Sequence, residues 1–470
     1  MKMLKLTFIC LLLLNITGVT QEYGGWQEIS SLNQPRRGHT IVTLKNGNIL
    51  VCGNGAFNTS KTCEIYDIEE NTWRYTDSLN VGRASYKTII LDDGRVLAIG
   101  SYNSDRSCEL FDPLTETWSM TDSITIGRET SIYSVVKLLD GKVMLIGGWA
   151  HDSLGAPLVE LADCEIYDPQ TEKWNPATPM NFARENASAV LLQNGSVLVS
   201  GGRSENEIIN SCEIYDPATD TWQIVAPMNE NRNGHDAILL NNGNVFVAGS
   251  AVSFGKKCEV YDTDKNEWFL VEDMIYYRSD PAVYYFPLSE KALIIGGSYY
   301  NETERDTWEI YDLKQMRPVY SEPFPIKKFL AKENSVQLLD GSVAVIGGWE
   351  FRIIDGGIVF LTPSRRCWIF DSITNIMDEF QDDFTFSLAQ NYPNPFNPST
   401  RIEYEIKHET KVELKVYNVI GEVIEVLEDE IKKSGRYSKD FNAEGLSSGI
   451  YFYTLKTNQF SETKKMILIK

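Results

Sequence analysis

The chain has 470 residues, room for two or three domains. Hydrophobic residues make up 43% and charged residues 23%, the balance of a globular protein. A net charge of −21 argues against nucleic acid and anionic membrane surfaces as partners, because their phosphates would be repelled.

Residues 1–20 read as a secretory signal. Lys2 and Lys5 give a basic start, Leu6–Leu14 is a short apolar run, and Gly18, Val19 and Thr20 offer small residues for cleavage before Gln21. The run is too short to span a bilayer, and no later segment reaches the roughly 20 apolar residues a membrane helix needs. Cys10 lies inside the apolar run, which does not fit a lipoprotein anchor.

Trp26–Ile29 (WQEI) is a short strand that looks like the last strand of a repeat standing alone. Repeats follow at intervals of 45–59 residues, a period that points to a propeller or array. Each opens on an arginine, read as Arg37, Arg83, Arg128, Arg184, Arg232 and Arg278, with Lys328 near the start of a seventh. A strand leads to Asn-Gly or Asp-Gly, as at Asn194-Gly195, a pair that accepts the positive φ of a two-residue hairpin turn. A second strand such as SVLVSGG is apolar on both faces, hence buried between layers, and ends on a diglycine. After a variable loop comes the block CEIYDPATDTW (Cys212–Trp222), with full copies starting at Cys63, Cys108, Cys164 and Cys258. Its Asp-Pro presets a turn, and Trp begins a fourth strand. Four antiparallel strands make one propeller blade.

Six cysteines (63, 108, 164, 212, 258, 367) hold one place in the repeat. Packed sheets lie about 10 Å apart, beyond the roughly 7 Å a disulfide allows between Cα atoms, so these read as buried apolar side chains. Cys52 stands outside the series. A Cys52–Cys63 bridge is open to it, but the reading leaves it unbridged.

Phe380–Phe386 is an acidic, aromatic linker, and Ser387–Lys470 differs in character. It opens on a proline-rich stretch, and short alternating strands follow, a pattern that suggests a small antiparallel sandwich.

The diglycine, the Tyr-Asp pair and the Trp six residues after the Asp together resemble the kelch family of β-propellers, over residues 26–380. The resemblance implies an all-β fold: a seven-bladed propeller over 21–379 plus a C-terminal immunoglobulin-like sandwich over 387–470. Blades six and seven depart from it. Trp308 replaces Cys, Trp368 replaces Glu, and Met377 stands where Trp is expected. Closed propellers usually share one blade between the chain ends, so Trp26–Ile29 is expected to complete blade seven. NYPNPFNPST (Asn391–Thr400), VYNVIGEVI and LSSGIYFYTLKT resemble the C-terminal sorting domain of the type IX secretion system, with Asn391, Pro393, Asn394, Pro395, Gly421, Gly449 and Tyr451 as motif residues. That resemblance implies the secretion machinery as partner and a secreted or outer-surface location in a Bacteroidetes-type bacterium. In that family the domain is commonly removed after export.

Candidate chemistry is sparse. His39 and His235 follow their arginines as RGH and RNGH and read first as structural. A kelch-type copper oxidase would use two histidines, two tyrosines and a Tyr–Cys crosslink, and nothing matches residue by residue. Asp262-x-Asp264-x-Asn266 lacks the glycine and the bidentate glutamate of a calcium loop. One Arg and one Glu per blade in six blades read first as structural pairs. The alternative places Arg128, Arg184 and Arg232 at the channel mouth, gripping a ligand. The long loops of blades three and seven offer His151, Asp152, Trp349, Arg352, Asp355, Arg365 and Arg366 as binding residues. The expectation is a binding or adhesion module for an extracellular glycan or protein, without cofactor. A carbohydrate-active propeller enzyme, of copper oxidase or sialic-acid mutarotase type, is the alternative.

Overall fold

The computed structural model describes residues 25–53, 60–101, 105–129, 132–151, 158–251, 255–297, 306–326, 328–329, 332–354, 358–371, 386–391, 393–406, 410–418, 423–433, 435–457 and 461–468. The predicted signal segment, most of the linker, Asp152, Asp355 and Gly421 lie outside the described residues. The chain divides into two compact units, 1–373 and 374–470. Among the described residues no helix is long and apolar enough to cross a membrane.

The first unit holds seven four-stranded antiparallel sheets. Blade four shows the pattern. Ser188–Leu191 is innermost, Val197–Ser200 pairs with it, Cys212–Asp216 follows, and Thr221–Val225 is outermost. The second strand is buried at every position, as its two-sided apolar sequence requires. The innermost strands of successive blades contact one another around a ring.

Neighbouring blades are joined by parts of the repeat. The outer-strand Trp packs on the aromatic residue of the preceding strand, with Tyr215 and Trp222 centroids 5.1 Å apart. In three blades its indole N–H reaches the connection before it: Trp222 Nε1 donates to Thr178 O at 2.8 Å, Trp73 Nε1 to Ser30 O at 2.8 Å and Trp268 Nε1 to Ala226 O at 2.9 Å. The diglycine lets the next blade come close. Gly201 has φ +59°, and an added Cβ would lie 2.5 Å from Arg232 O and 2.9 Å from His235 Cε1.

Blade seven closes the ring as expected. Gly25–Ile29 pairs antiparallel with Cys367–Asp371, Glu28 opposite Trp368, and becomes its outer strand. The odd residues of the last blades fill this joint. Trp26 packs on Trp308, Phe324 and Phe370 at 6.4, 4.7 and 5.2 Å.

One expectation is corrected here. The repeat arginine of blade one is Arg36, not Arg37. Arg36 is fully buried and pairs with Glu64 at 2.9 Å, whereas Arg37 lies over the ring of Trp349, 3.8 Å from its centroid.

The second unit is a sandwich. One sheet has the order Phe386–Leu388, Ser399–Ile406, Gly435–Asn442. The other runs Val423–Lys432, Thr410–Tyr417, Gly449–Lys456, Ser461–Leu468. Ile402, Tyr404 and Phe441 from the first meet Leu414, Tyr453 and Met466 from the second in one core. The predicted linker ends one residue early, because Phe386 already belongs to a strand.

Candidate functional site

In each of six blades the repeat arginine enters from the previous blade and turns inward. Arg184 Nη1 donates to Gly201 O at 2.8 Å and Ser211 O at 2.9 Å, and its Nη2 meets Glu213 Oε1 at 2.8 Å. Glu213 also accepts the backbone N–H groups of Asn181 and Phe182, at 2.7 and 3.2 Å. Arg128–Glu165 and Arg232–Glu259 repeat the arrangement at 2.9 and 2.8 Å, both arginines at most 1% exposed. These three arginines therefore do not form a ligand grip. Their forks, Arg184 Nε apart, bind the incoming connection to strands two and three, and all three side chains are buried. Blade seven replaces the pair. Lys328, fully buried, sits 4.5 Å above the Trp368 ring and donates to Arg366 O at 3.1 Å.

Two more predicted binding residues serve the ring joint instead. Arg365 Nε donates to Leu32 O at 2.8 Å, and Arg366 forms a two-point ion pair with Glu28. His151 ends a short strand, Trp149–His151, and Arg352 lies in Trp349–Ile354. Trp149 and Trp349 both directly follow a diglycine and begin hairpins, paired with Leu158–Glu160 and Ile358–Pro363. A third hairpin, Arg203–Ser204 with Glu207–Ile208, stands beside Trp149, the Arg203 guanidinium 6.0 Å from its ring centroid. Inner strands run away from the arginines and second strands return, so these hairpins share the rim on which the connections enter.

On that rim the ring encloses a cavity of about 370 Å³, with walls from blades two to seven. Lys87, Asn186, Asp236, Asp280, Lys332 and Glu333 supply its polar lining. Asn186 and Asp280 sit two residues after their arginines with φ +52° and +53°, as Gly234 does with +62°. Backbone bonds link them around the mouth: Gly234 N to Asn186 O at 3.2 Å, then Asp280 N to Gly234 O at 2.8 Å. The left-handed backbone turns the Asp280 carboxylate toward the opening, where Ser279 Oγ donates to it at 3.1 Å. Lys332 pairs with Asp236, which also accepts Val283 N at 2.9 Å. Among the described residues no lysine forms an ion pair with Asp280; Asn186 Nδ2 donates to it at 3.4 Å, and the Lys332 charge acts on it from farther off. Its carboxyl is raised above the usual range, first by the surrounding protein and then by the charge of Glu333. Asp280 is exposed at the mouth, with the other walls of the cavity around it. Lys87 faces Glu333, Asp236 and Asp280, and burial lowers its ammonium. Behind the mouth, burial pushes the Glu185 carboxyl up to about 6.

His235 lines the same cavity, 5% exposed. One ring nitrogen lies 3.0 Å from Ser200 Oγ, and the other has no protein partner among the described residues. Burial and Arg232 hold it neutral. His39, its counterpart in blade one, packs against Gly347 at the joint with blade seven.

Comparison with known proteins places this geometry. Kelch motifs match residues 136–181 and 187–229, the spans of blades three and four. The first unit is a kelch propeller. Residues 390–470 of the second unit match the secretion system C-terminal sorting domain. The chain is thus exported by the type IX system, to the cell surface or beyond it. No curated protein matches the sequence. Among solved structures, a fungal alcohol oxidase of the AA5 family, in complex with copper, is similar over 95% of this chain and 100% of its own. The TM-score is 0.58 at 13% identity, a likeness of fold alone.

Among the described residues, His39 and His235 do not come together as a two-histidine copper site. His39 packs against blade seven and His235 against blade four. Among the described residues no group of three His, Cys, Asp or Glu is placed to hold a metal ion. The Asp262 segment is the turn it was read as, with Asp262 accepting Lys265 N at 3.0 Å.

Sequence reading missed the six polar residues of the mouth. A signal existed: Gly, Ser, Asn or Asp recurs two places after the arginine in five blades, at Gly38, Ser85, Asn186, Gly234 and Asp280. Such residues tolerate or favour the left-handed conformation.

In the sorting domain, Asn391 is buried, its Nδ2 donating to Pro393 O at 3.1 Å and Thr400 Oγ1 at 2.9 Å. Asn394, before the cis Pro395, accepts Ile467 N at 2.9 Å. Tyr451 donates to Ser447 O at 2.9 Å. Gly449 starts the strand Gly449–Lys456. A cavity of about 580 Å³ beside this turn is lined by Gln390, Pro393, Thr400 and the Arg401–Asp440 pair.

Proposed function

We propose that the exported kelch propeller is a ligand-binding module and that its ligand is held at the mouth of the central cavity through a positively charged, hydrogen-bonding group. One observation carries this reading: Asp280 and Glu333 both line the cavity, no lysine among the described residues forms an ion pair with Asp280, and burial first and then the Glu333 charge raise the Asp280 carboxyl. An ammonium placed between them relieves that repulsion and meets acceptors already in position. Trp149, Trp349 and their arginines on the rim suit contacts with the rest of it.

The test is titration calorimetry of the mature chain with a lysine-rich peptide. Binding is expected to weaken roughly tenfold or more in Asp280→Asn and in Glu333→Gln, the size of a lost charged hydrogen bond, with melting unchanged. Glu69→Gln, on an exposed turn away from the mouth, should leave it unaltered. Equal weakening by Glu69→Gln, or none by the mouth variants, overturns the reading.

A further inference from the structure

The seven cysteines after Cys10 are not equivalent. Six end up in one register position, each thiol directed at the backbone carbonyl two residues before it, as Cys212 Sγ to Asn210 O at 3.5 Å. What stands opposite each differs. Cys108 faces Ile99, Cys164 faces Ile146, Cys212 faces Ser200, Cys258 faces Ala248 and Cys367 faces Ile346. In blade one alone the opposite residue is another cysteine: Cys52 is the register partner of Cys63. Directly opposed residues on antiparallel strands point to the same face, with Cα atoms about 4.5–5.5 Å apart. That separation lies within the range of about 4.4–6.8 Å a disulfide needs. Both cysteines are free, buried thiols in the structure, at most 1% exposed.

We propose that Cys52 and Cys63 form a cross-strand disulfide in the exported protein, made by thiol–disulfide exchange with a disulfide-bearing protein oxidant. A thiolate of the pair attacks the oxidant's disulfide and displaces one of its sulfurs. The second cysteine then displaces the other, closing the protein S–S bond. Two electrons pass to the oxidant, which leaves as a dithiol carrying the two protons. Export takes the chain through a compartment where such bridges form and persist. In the closed blade both sulfurs are shut off, and burial raises the Cys52 thiol far above its ordinary range. Exchange therefore precedes closure of blade one, and the finished fold shields the bridge from reductants.

The test uses the full chain, exported and acid-quenched before lysis, then denatured and alkylated with and without prior reduction. Two more cysteines are expected to react after reduction, in the peptides holding Cys52 and Cys63, and the unreduced mass should be lower by about 2 Da. Cys52→Ala should abolish the difference, as should retention in a reducing cytosol. Because alkylation is done on unfolded chain, the result does not depend on the variant folding. Equal alkylation with and without reductant overturns the proposal, and so does a bridge from Cys63 to any other cysteine.

Discussion

Arg366 and Glu28 form a two-point ion pair, 2.7 Å from Nε to Oε1 and 3.0 Å from Nη2 to Oε2, although 338 positions separate them. The pair crosses the one joint that chain connectivity does not cover. Both side chains are more than a third exposed, so water screens the attraction. Arg366→Ala should cost no more than about 1 kcal/mol in urea unfolding. Trp26→Ala, at the same joint, removes an aromatic packed on three rings and should cost about 3 kcal/mol. Similar losses from the two variants would show that closure is held by charge rather than by packing.

The buried Arg–Glu pairs behave otherwise. Arg184→Ala leaves Glu213 charged and without its partner inside the blade, and should destabilise by roughly 3–5 kcal/mol. Arg184→Lys keeps the charge but loses the fork that reaches Gly201 O, Ser211 O and Glu213 together, so it should recover only part of the loss. Chemical denaturation of both variants beside the parent measures this.

Lys328 gives a pH dependence. Burial lowers its ammonium from 10.5 to about 7, while Glu350, Glu28 and Cys367 oppose that shift and Arg366 adds to it. His39 is lowered to about 3, first by burial and then by the charges of Arg36 and Lys328. Below pH 7 the folded and unfolded chains both hold the lysine proton, and the cost of burying it is present in full. Between about 7 and 10.5 only the unfolded chain holds the proton, so stability rises with pH across that window. Lys328→Met should flatten the rise and stabilise the fold at neutral pH. Melting curves from pH 6 to 10 decide it; parallel profiles for parent and variant would contradict the assignment.

In the sorting domain, Asn391→Ala removes the donor shared by Pro393 O and Thr400 Oγ1 in a buried turn. A loss of about 1–3 kcal/mol is expected in this unit's own unfolding transition, with the propeller transition unmoved. Calorimetry of the full chain separates the two.

How much could be read beforehand varies by residue. The Asn194-Gly195 turn, the buried strand Val197–Ser200 and the Trp222 anchor follow from short-range rules, and each was legible. Arg36 was not, because Arg37 beside it satisfies the same loose pattern. The spacing that separates them is from arginine to the glycine carbonyl it binds: 17 for Arg36, Arg83, Arg184 and Arg232 alike. Arg365 and Arg366 looked like binding residues because a loop rich in Arg and aromatics suits a ligand. Only the arrival of Glu28 and Leu32 from the other end of the chain shows them occupied.

By itself the sequence determined the blade, the number of blades, the C-terminal sandwich and the sorting motif, because each rests on contacts among residues close in the chain or on a pattern repeated many times. Only the tertiary structure decided which charged residues are available. Arg184 and Asp280 are both charged residues near a blade's entrance, but closing the ring buries the first against Glu213 and leaves the second exposed in the lining of the cavity, in reach of the Glu333 charge. Charge is written in the residue, whereas its partner is fixed by six blades meeting around one cavity.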